Sequence, residues 1–192
     1  MPERNDAALE FLLTRRSRPA KTLTGPGPMR DELMPILTAA ARTPDHGKLE
    51  PWRFIVVEKP ALERLGHQVT ARGEALGIDP AKITKERHAY DTSPLAVVVV
   101  ESPKASDKVP AIEQTYSAGA ACLALLNAAL ASGWGANWLS GWASLDRDFI
   151  RDGFGLEDHE SVAGILHIGT QTVAPPERPR PDVDAITQWI KD

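Results

Sequence analysis

The sequence holds a single cysteine, Cys122, in 192 residues. A lone thiol closes no internal disulfide, and the amino terminus carries acidic residues without an apolar signal core, so a reducing cytoplasm is the expected setting. Positive charge is also in short supply. The 22 Lys and Arg are outnumbered by 26 Asp and Glu, giving a formal net charge of −4 and a pI near 5.8. That balance excludes a general footprint for nucleic acid or acidic lipid, and any anion site has to be built locally. No apolar run reaches the ~20 residues of a membrane-spanning helix. The stretch that comes nearest, Tyr116 to Ala131, is alanine-rich and interrupted by Asn127, and reads as a buried central helix.

The usual signatures of protein-borne chemistry are missing as well. A dinucleotide fingerprint needs a glycine-rich turn leading from a strand into a helix. Gly133 and Gly135 instead follow a helix and precede a strand, with no third glycine in place. The Gly25 to Pro28 loop lacks the Lys-Ser or Lys-Thr end of a phosphate loop. The five histidines, His46, His67, His88, His159 and His167, show no metal-ligand spacing, so no metal is expected. Ser140 and Ser144 lack the Gly-x-Ser-x-Gly turn of a hydrolase nucleophile, and Cys122 lies among alanines and leucines as a small hydrophobe does. No side chain stands out as a catalytic nucleophile or acid–base pair.

What is present is a run of interleaved helices and strands. Asp6 is placed to cap a first helix carrying Leu9, Leu12 and Leu13 and ending near Arg15, Arg16 and Ser17. A loop at 22–28 leads to a helix over about 30–41, in which Pro35 predicts a late start or a kink. An irregular turn at 43–51 precedes a strand at 53–58. Helices follow at about 61–76 and 80–89, the second led by Pro80. Leu95 to Val100 has no alternation and reads as a strand buried on both faces. A long helix over about 109–132, a strand at 134–138, a short helix at 146–153 and a strand at 162–168 complete the pattern. The tail beyond Val173, with Pro175, Pro176, Pro179 and Pro181, is an extended arm. The length fits one domain over 1–192, with 173–192 as that arm, and the connections between strands are too uneven for plain βαβ repetition. A layered α+β domain is expected.

One cluster is out of keeping with an acidic chain: Arg15, Arg16, Ser17 and Arg18. Cations at the negative end of a helix account for it as a solvated terminus. That is the preferred reading on charge alone; the alternative is an anion seat, with guanidinium forks matched to phosphate oxygens and a serine hydroxyl beside them. The cluster by itself leaves both open.

Four separated segments, taken together, resemble the nitroreductase family of FMN enzymes, in particular its compact bacterial subgroup. A first helix ends in Arg15, Arg16, Ser17; a second leads through Arg42, Pro44, Asp45 and His46 to Glu50, Pro51, Trp52 and a strand. A long alanine-rich helix runs into Gly133, Gly135, Trp138, Ser140 and Gly141, and a last strand ends in Gly169 and Thr170 before an arm with Arg178 and Arg180. The chain departs from the family pattern at Glu50, where glutamine is usual, at Leu139, where the subgroup often has arginine, and at Pro19, which leaves Arg18 or Lys21 to supply a basic group.

The resemblance implies a nitroreductase-like layered fold with a mixed, mainly antiparallel central sheet flanked by helices, in an intertwined homodimer with FMN sites at the subunit interface. It implies that Arg15, Arg16 and Ser17 hold the flavin phosphate and ribityl chain, with Arg178 and Arg180 in the arm also on the cofactor. Arg42 and His46 would approach from the partner, and Trp138, Leu139 and Ser140 would line the isoalloxazine. NADH or NADPH would give hydride to FMN, and a small nitroaromatic, quinone or similar oxidant would collect it in a ping-pong cycle. Arg16 or Arg42 is the candidate for stabilising the reduced flavin. For Trp52 core packing is preferred. Ser117, Ala120, Ala121, Ala124 and Ala128 recur at helical spacing, which fits a close helix neighbour across a dimer or ordinary core packing. The rival readings are a dehalogenase or dehydrogenase on the same scaffold, an FMN-binding or storage protein without turnover, and a cofactor-free structural dimer.

Overall fold

The computed structural model describes residues 3–191. It contains five strands and seven α-helices. The strands are β1 (Leu23–Thr24), β2 (Trp52–Glu58), β3 (Leu95–Glu101), β4 (Gly135–Leu139) and β5 (Ser161–Gln171). The helices are α1 (Asp6–Thr14), α2 (Arg30–Ala40), α3 (Lys59–Ala75), α4 (Pro80–Thr92), α5 (Ala111–Ala131), α6 (Trp142–Leu145) and α7 (Arg147–Phe154).

Every strand pairing is antiparallel. The order is β1-β5-β3-β2, with β4 also on β5, so the long β5 serves three neighbours. β3 is the centre: Leu95 to Val100 are all buried, as an unbroken apolar run requires when both faces of a strand are covered. Alternate side chains divide the core in two. Val97, Val99, Leu166 and Ile168 pack under α2 and α5, against Ile36, Leu125 and Ala129. Ala96, Val98 and Ile165 pack on the opposite face under α3, α4 and α7, against Leu62, Leu65, Tyr90 and Phe149.

Local chemistry sets the element ends, in places differently from the sequence expectation. Asn5, not Asp6, caps α1: its side chain accepts from the Ala8 N–H at 3.0 Å. α2 begins on schedule at Arg30, because the Glu32 carboxylate accepts from the Met29 N–H at 2.9 Å, and it continues through Pro35 as a single helix. The expected loop at 22–28 contains β1, whose two residues pair with the end of β5. α6 was not expected either. The turn at 43–51 is irregular, with Gly47, Lys48 and Glu50 all at positive φ and Asp45 accepting from the Leu49 N–H at 2.8 Å. After β5 the chain forms no strand or helix up to residue 191 and is exposed along nearly its whole length.

Candidate functional site

A first candidate region is built where α1 stops. The Arg15 N–H closes the helix on the Phe11 carbonyl, and the next residues run out to β4, where the Arg18 N–H donates to the Ala136 carbonyl at 2.8 Å. That bond fixes the helix end against an edge strand. Arg15 donates to the Ser17 hydroxyl at 3.1 Å, while its Nε is buried with no hydrogen-bond partner. The arm returns to the same place. Glu177 accepts from Arg16 at 2.9 Å and pairs with Arg180 at 3.0 Å. Burial, then the nearby charges of Arg180 and Arg16, lower the Arg15 pKa from its ordinary value. Among the described residues, three guanidinium groups thus share one region with a single carboxylate between them, and the innermost keeps an orphaned donor. Of the residues singled out from sequence, Arg15, Arg16, Ser17 and Arg180 come together here; Arg178 contributes only its backbone N–H, to Glu177.

A second candidate region lies at the far end of β4. Leu139 and Ser140, with Gly141 and Trp142, face α4 across a cavity of about 360 Å³ whose remaining walls are Lys82, Lys85, Glu86, Ala89 and Tyr90 of α4 and Ile165 and His167 of β5. Strand alternation explains which predicted residues reach it. Leu139 opposes Ile165 on the α4 side, whereas Trp138 opposes Leu166 and packs with the α5-side core. The Trp138 indole fills the space beside Gly164, where no Cβ would fit. Trp138 therefore does not line this cavity, while Leu139 and Ser140 do.

The cavity carries polar groups that sequence reading did not single out. The Tyr90 hydroxyl, His167 Nδ1 and Trp142 Nε1 are buried without hydrogen-bond partners among the described residues. Buried polar groups are rarely left unpaired unless a ligand or water completes them. Burial pushes His167 down to about 4, so it is neutral at pH 7, and pushes the Tyr90 phenol up, so it stays protonated. The Glu86 carboxyl is raised by burial, against the opposing pull of Lys85. These residues come from elements far apart in the chain, and α4 shows no sequence pattern that marks its inner face.

Arg42 and His46 stand elsewhere. Both are exposed, and His46 Nδ1 pairs with Glu113 of α5 at 2.7 Å. Within one chain no ion pair joins them to the arginine cluster among the described residues. Trp52 is held in the core as preferred: its indole N–H donates to Ser117 at 3.1 Å, and Ser117 donates to the Pro44 carbonyl at 2.9 Å. The small residues of α5 divide. Ser117 and Ala121 are buried within the chain, Ala120 is exposed, and Ala124 and Ala128 are half-buried.

Among the described residues no helix is long and apolar enough to cross a membrane, and no cluster of acidic, histidine and cysteine side chains forms a metal site. The chain is 39% identical over 163 residues to the Escherichia coli (strain K12) protein named "Putative NAD(P)H nitroreductase YdjA", covering 85% of this chain and 87% of that one. Its fold matches the nitroreductase-like family protein from Bacillus cereus with a TM-score of 0.76 at 23% identity, over all of both chains. It also matches the FMN and NADPH-dependent nitroreductase NfnB from sphigopyxis sp. strain HMH with a TM-score of 0.73 at 20% identity, over 96% of this chain and 99% of that one. Residues 12–170 match the family described as "Nitroreductase family", and the chain belongs to that family.

Proposed function

We propose that this chain is the FMN-binding subunit of a homodimeric oxidoreductase that carries electrons from NADH or NADPH to small nitroaromatic, quinone or similar oxidants. On this reading it acts in the cytoplasm as a single domain, with the segment from Val173 onward as an arm. The observation that carries the proposal is the unbalanced cation cluster at the end of α1. Arg15, Arg16 and Arg180 converge, Arg15 keeps a buried Nε with nothing to donate to, and its charge is disfavoured where it stands. A phosphate monoester supplies the missing negative charge and acceptor oxygens. The relatives' names point the same way, to NAD(P)H and to FMN.

FMN, when bound, supplies the hydride chemistry. The chain supplies the hold on it. Arg15 and Arg180 grip the phosphate with forked donors, Ser17 adds a hydroxyl, and the arm bearing Arg178 closes over them. Leu139 and Ser140 flank the ring in the cavity against α4. Arg16, or Arg42 from the partner, places positive charge near the ring, where it stabilises the reduced state. Donor and oxidant use the same open face in turn, which gives ping-pong kinetics.

Dimerisation is supported by the apolar surface one chain leaves uncovered. α1 buries no residue, with Leu9, Leu12 and Leu13 exposed. Ile112, Tyr116 and Leu123 of α5 and Val183, Ile186, Trp189 and Ile190 of the arm are also exposed. Surface of this extent is characteristic of an interface. A second copy also brings Arg42 and His46 to a site they do not reach within their own chain.

The deciding experiment is an absorbance spectrum of the purified protein, followed by anaerobic addition of each nicotinamide. The expected result is a yellow protein bleached by NADH or NADPH and recoloured by a quinone or nitroarene. A colourless protein that ignores added FMN overturns the proposal; a yellow one that neither donor bleaches reduces it to FMN binding.

A further inference from the structure

Among the described residues Glu86 is the only carboxyl lining the cavity between α4 and the β4–α6 turn. Its carboxylate lies against the backbone of Gly141 so closely that a methyl group added there would overlap it. This sets it next to Ser140 and Leu139. The charged and titratable groups facing it are few. Lys82 and Lys85 of its own helix are exposed at the rim, Tyr90 stands one turn on, and His167 faces from β5. The β4–α6 turn offers only the uncharged Ser140 and Trp142. Tyr90 and His167 are both neutral at pH 7, for the reasons given above. Glu86 draws no hydrogen-bond stabilisation of its charged form, and burial favours its acid form. It is the carboxyl in this wall placed to respond to a change of charge in the cavity.

We infer that Glu86 is a redox-linked proton acceptor: when a ring held beside Leu139 to Gly141 gains two electrons, the Glu86 carboxylate takes up a proton. The inference rests on the proposed FMN reading. The balance is complete. An oxidised flavin that gains two electrons and one proton acquires one negative charge; the nicotinamide hydride brings those two electrons and that proton. Glu86 gains its own proton from solvent and loses its negative charge. The cavity keeps the same net charge in both states, which avoids placing two negative charges together where water is scarce. Lys82 and Lys85, in solvent, are screened and offset such a pair only weakly.

The test is the midpoint potential of the FMN-loaded protein as a function of pH. A tenfold change in proton concentration moves a two-electron couple by 29.6 mV for each proton taken up. The unmodified protein is expected to follow a slope of about 59 mV per pH unit around neutrality, and Glu86→Gln about 30 mV. Should Glu86→Gln not hold FMN, the unmodified holoprotein decides by reduced-minus-oxidised infrared difference, in which a protonated-carboxyl band grows on reduction and shifts in heavy water. FMN-loaded protein with the same slope in both forms, or with no such band, overturns the role of Glu86 and leaves the flavin reading standing. Protein that holds no FMN overturns both.

Discussion

The Glu177 carboxylate accepts a hydrogen bond from the Arg16 guanidinium at 2.9 Å, across 161 residues of sequence. The arm thus brings an anion of its own to the cation cluster where the cofactor phosphate is proposed to sit. Glu177 also pairs at 3.0 Å with Arg180, one of the two arginines proposed to grip the phosphate, so phosphate and Glu177 compete for that guanidinium. Glu177→Gln is expected to bind FMN a few-fold more tightly at low ionic strength, with the difference shrinking as salt screens both forms. Fluorescence titrations of FMN at two salt concentrations check this. Equal affinities at low salt would show that Glu177 does not compete.

Arg15 is the opposite case, a donor without an acceptor. A charge-assisted hydrogen bond is worth about 1.5–3 kcal/mol, so Arg15→Ala is expected to weaken FMN binding roughly tenfold or more. Thermal stability without FMN should change little or rise, because the substitution removes a partly buried cation from beside Arg16 and Arg180. The measurement is an FMN titration beside a melting curve with and without the cofactor. A loss of apo stability that matches the loss of affinity would assign Arg15 to structure.

The exposed face of α1 yields a third expectation. Leu13 is 69% exposed in the single chain and, with Leu9 and Leu12, belongs to a helix that buries none of its residues against that chain. If a second copy covers it, Leu13→Asp places a charge in that interface and shifts the protein toward monomer, with loss of FMN following from loss of Arg42 and His46. Sedimentation at several concentrations, with the flavin absorbance recorded in the same run, tests both halves. A dimer that survives Leu12→Asp and Leu13→Asp with its FMN unchanged would place the interface elsewhere.

How much of this was legible in the sequence depended on whether the determining contacts were local. Arg15, Arg16 and Ser17 are contiguous, so the end of one helix brings them together whatever the rest of the chain does. Leu95 to Val100 is apolar at every position, short and rich in β-branched valine, as a strand covered on both faces is. β1 was not legible, because two residues beside Gly25 and Pro26 become a strand only when the end of β5 is there to pair with Leu23 and Thr24. The small-residue spacing on α5 was visible but its direction was not: Ser117 and Ala121 turn into the core while Ala120 faces out. The cavity wall was invisible for the same reason. Glu86, Tyr90 and His167 meet only after α4 packs over β5, and none of them sits in a local motif.

The ion pair of Arg53 and Glu160 ties β2 to the start of β5, and its pH dependence can be worked out. Arg53 donates to the two Glu160 oxygens at 2.7 and 2.6 Å, and Glu160 also accepts from the Glu157 N–H at 3.0 Å, with its side chain only 4% exposed. The Arg53 hydrogen bond, more than any other cause, holds the Glu160 carboxyl down to about 2, below its ordinary value of 4.5. A carboxyl whose folded value is depressed contributes stability that is whole above the unfolded value and lost as pH falls through the folded one. The window is therefore about 4.5 down to about 2. Glu160→Gln keeps the shape but gives up the charge-assisted bonds, costing about 1.5–3 kcal/mol at neutral pH, toward the lower end because Arg53 remains open to water. The two proteins should converge in stability as pH drops through that window. Denaturant melts at pH 7, 4 and 3 check it, and a gap that stays constant across the series would mean that Glu160 acts by packing and not by charge.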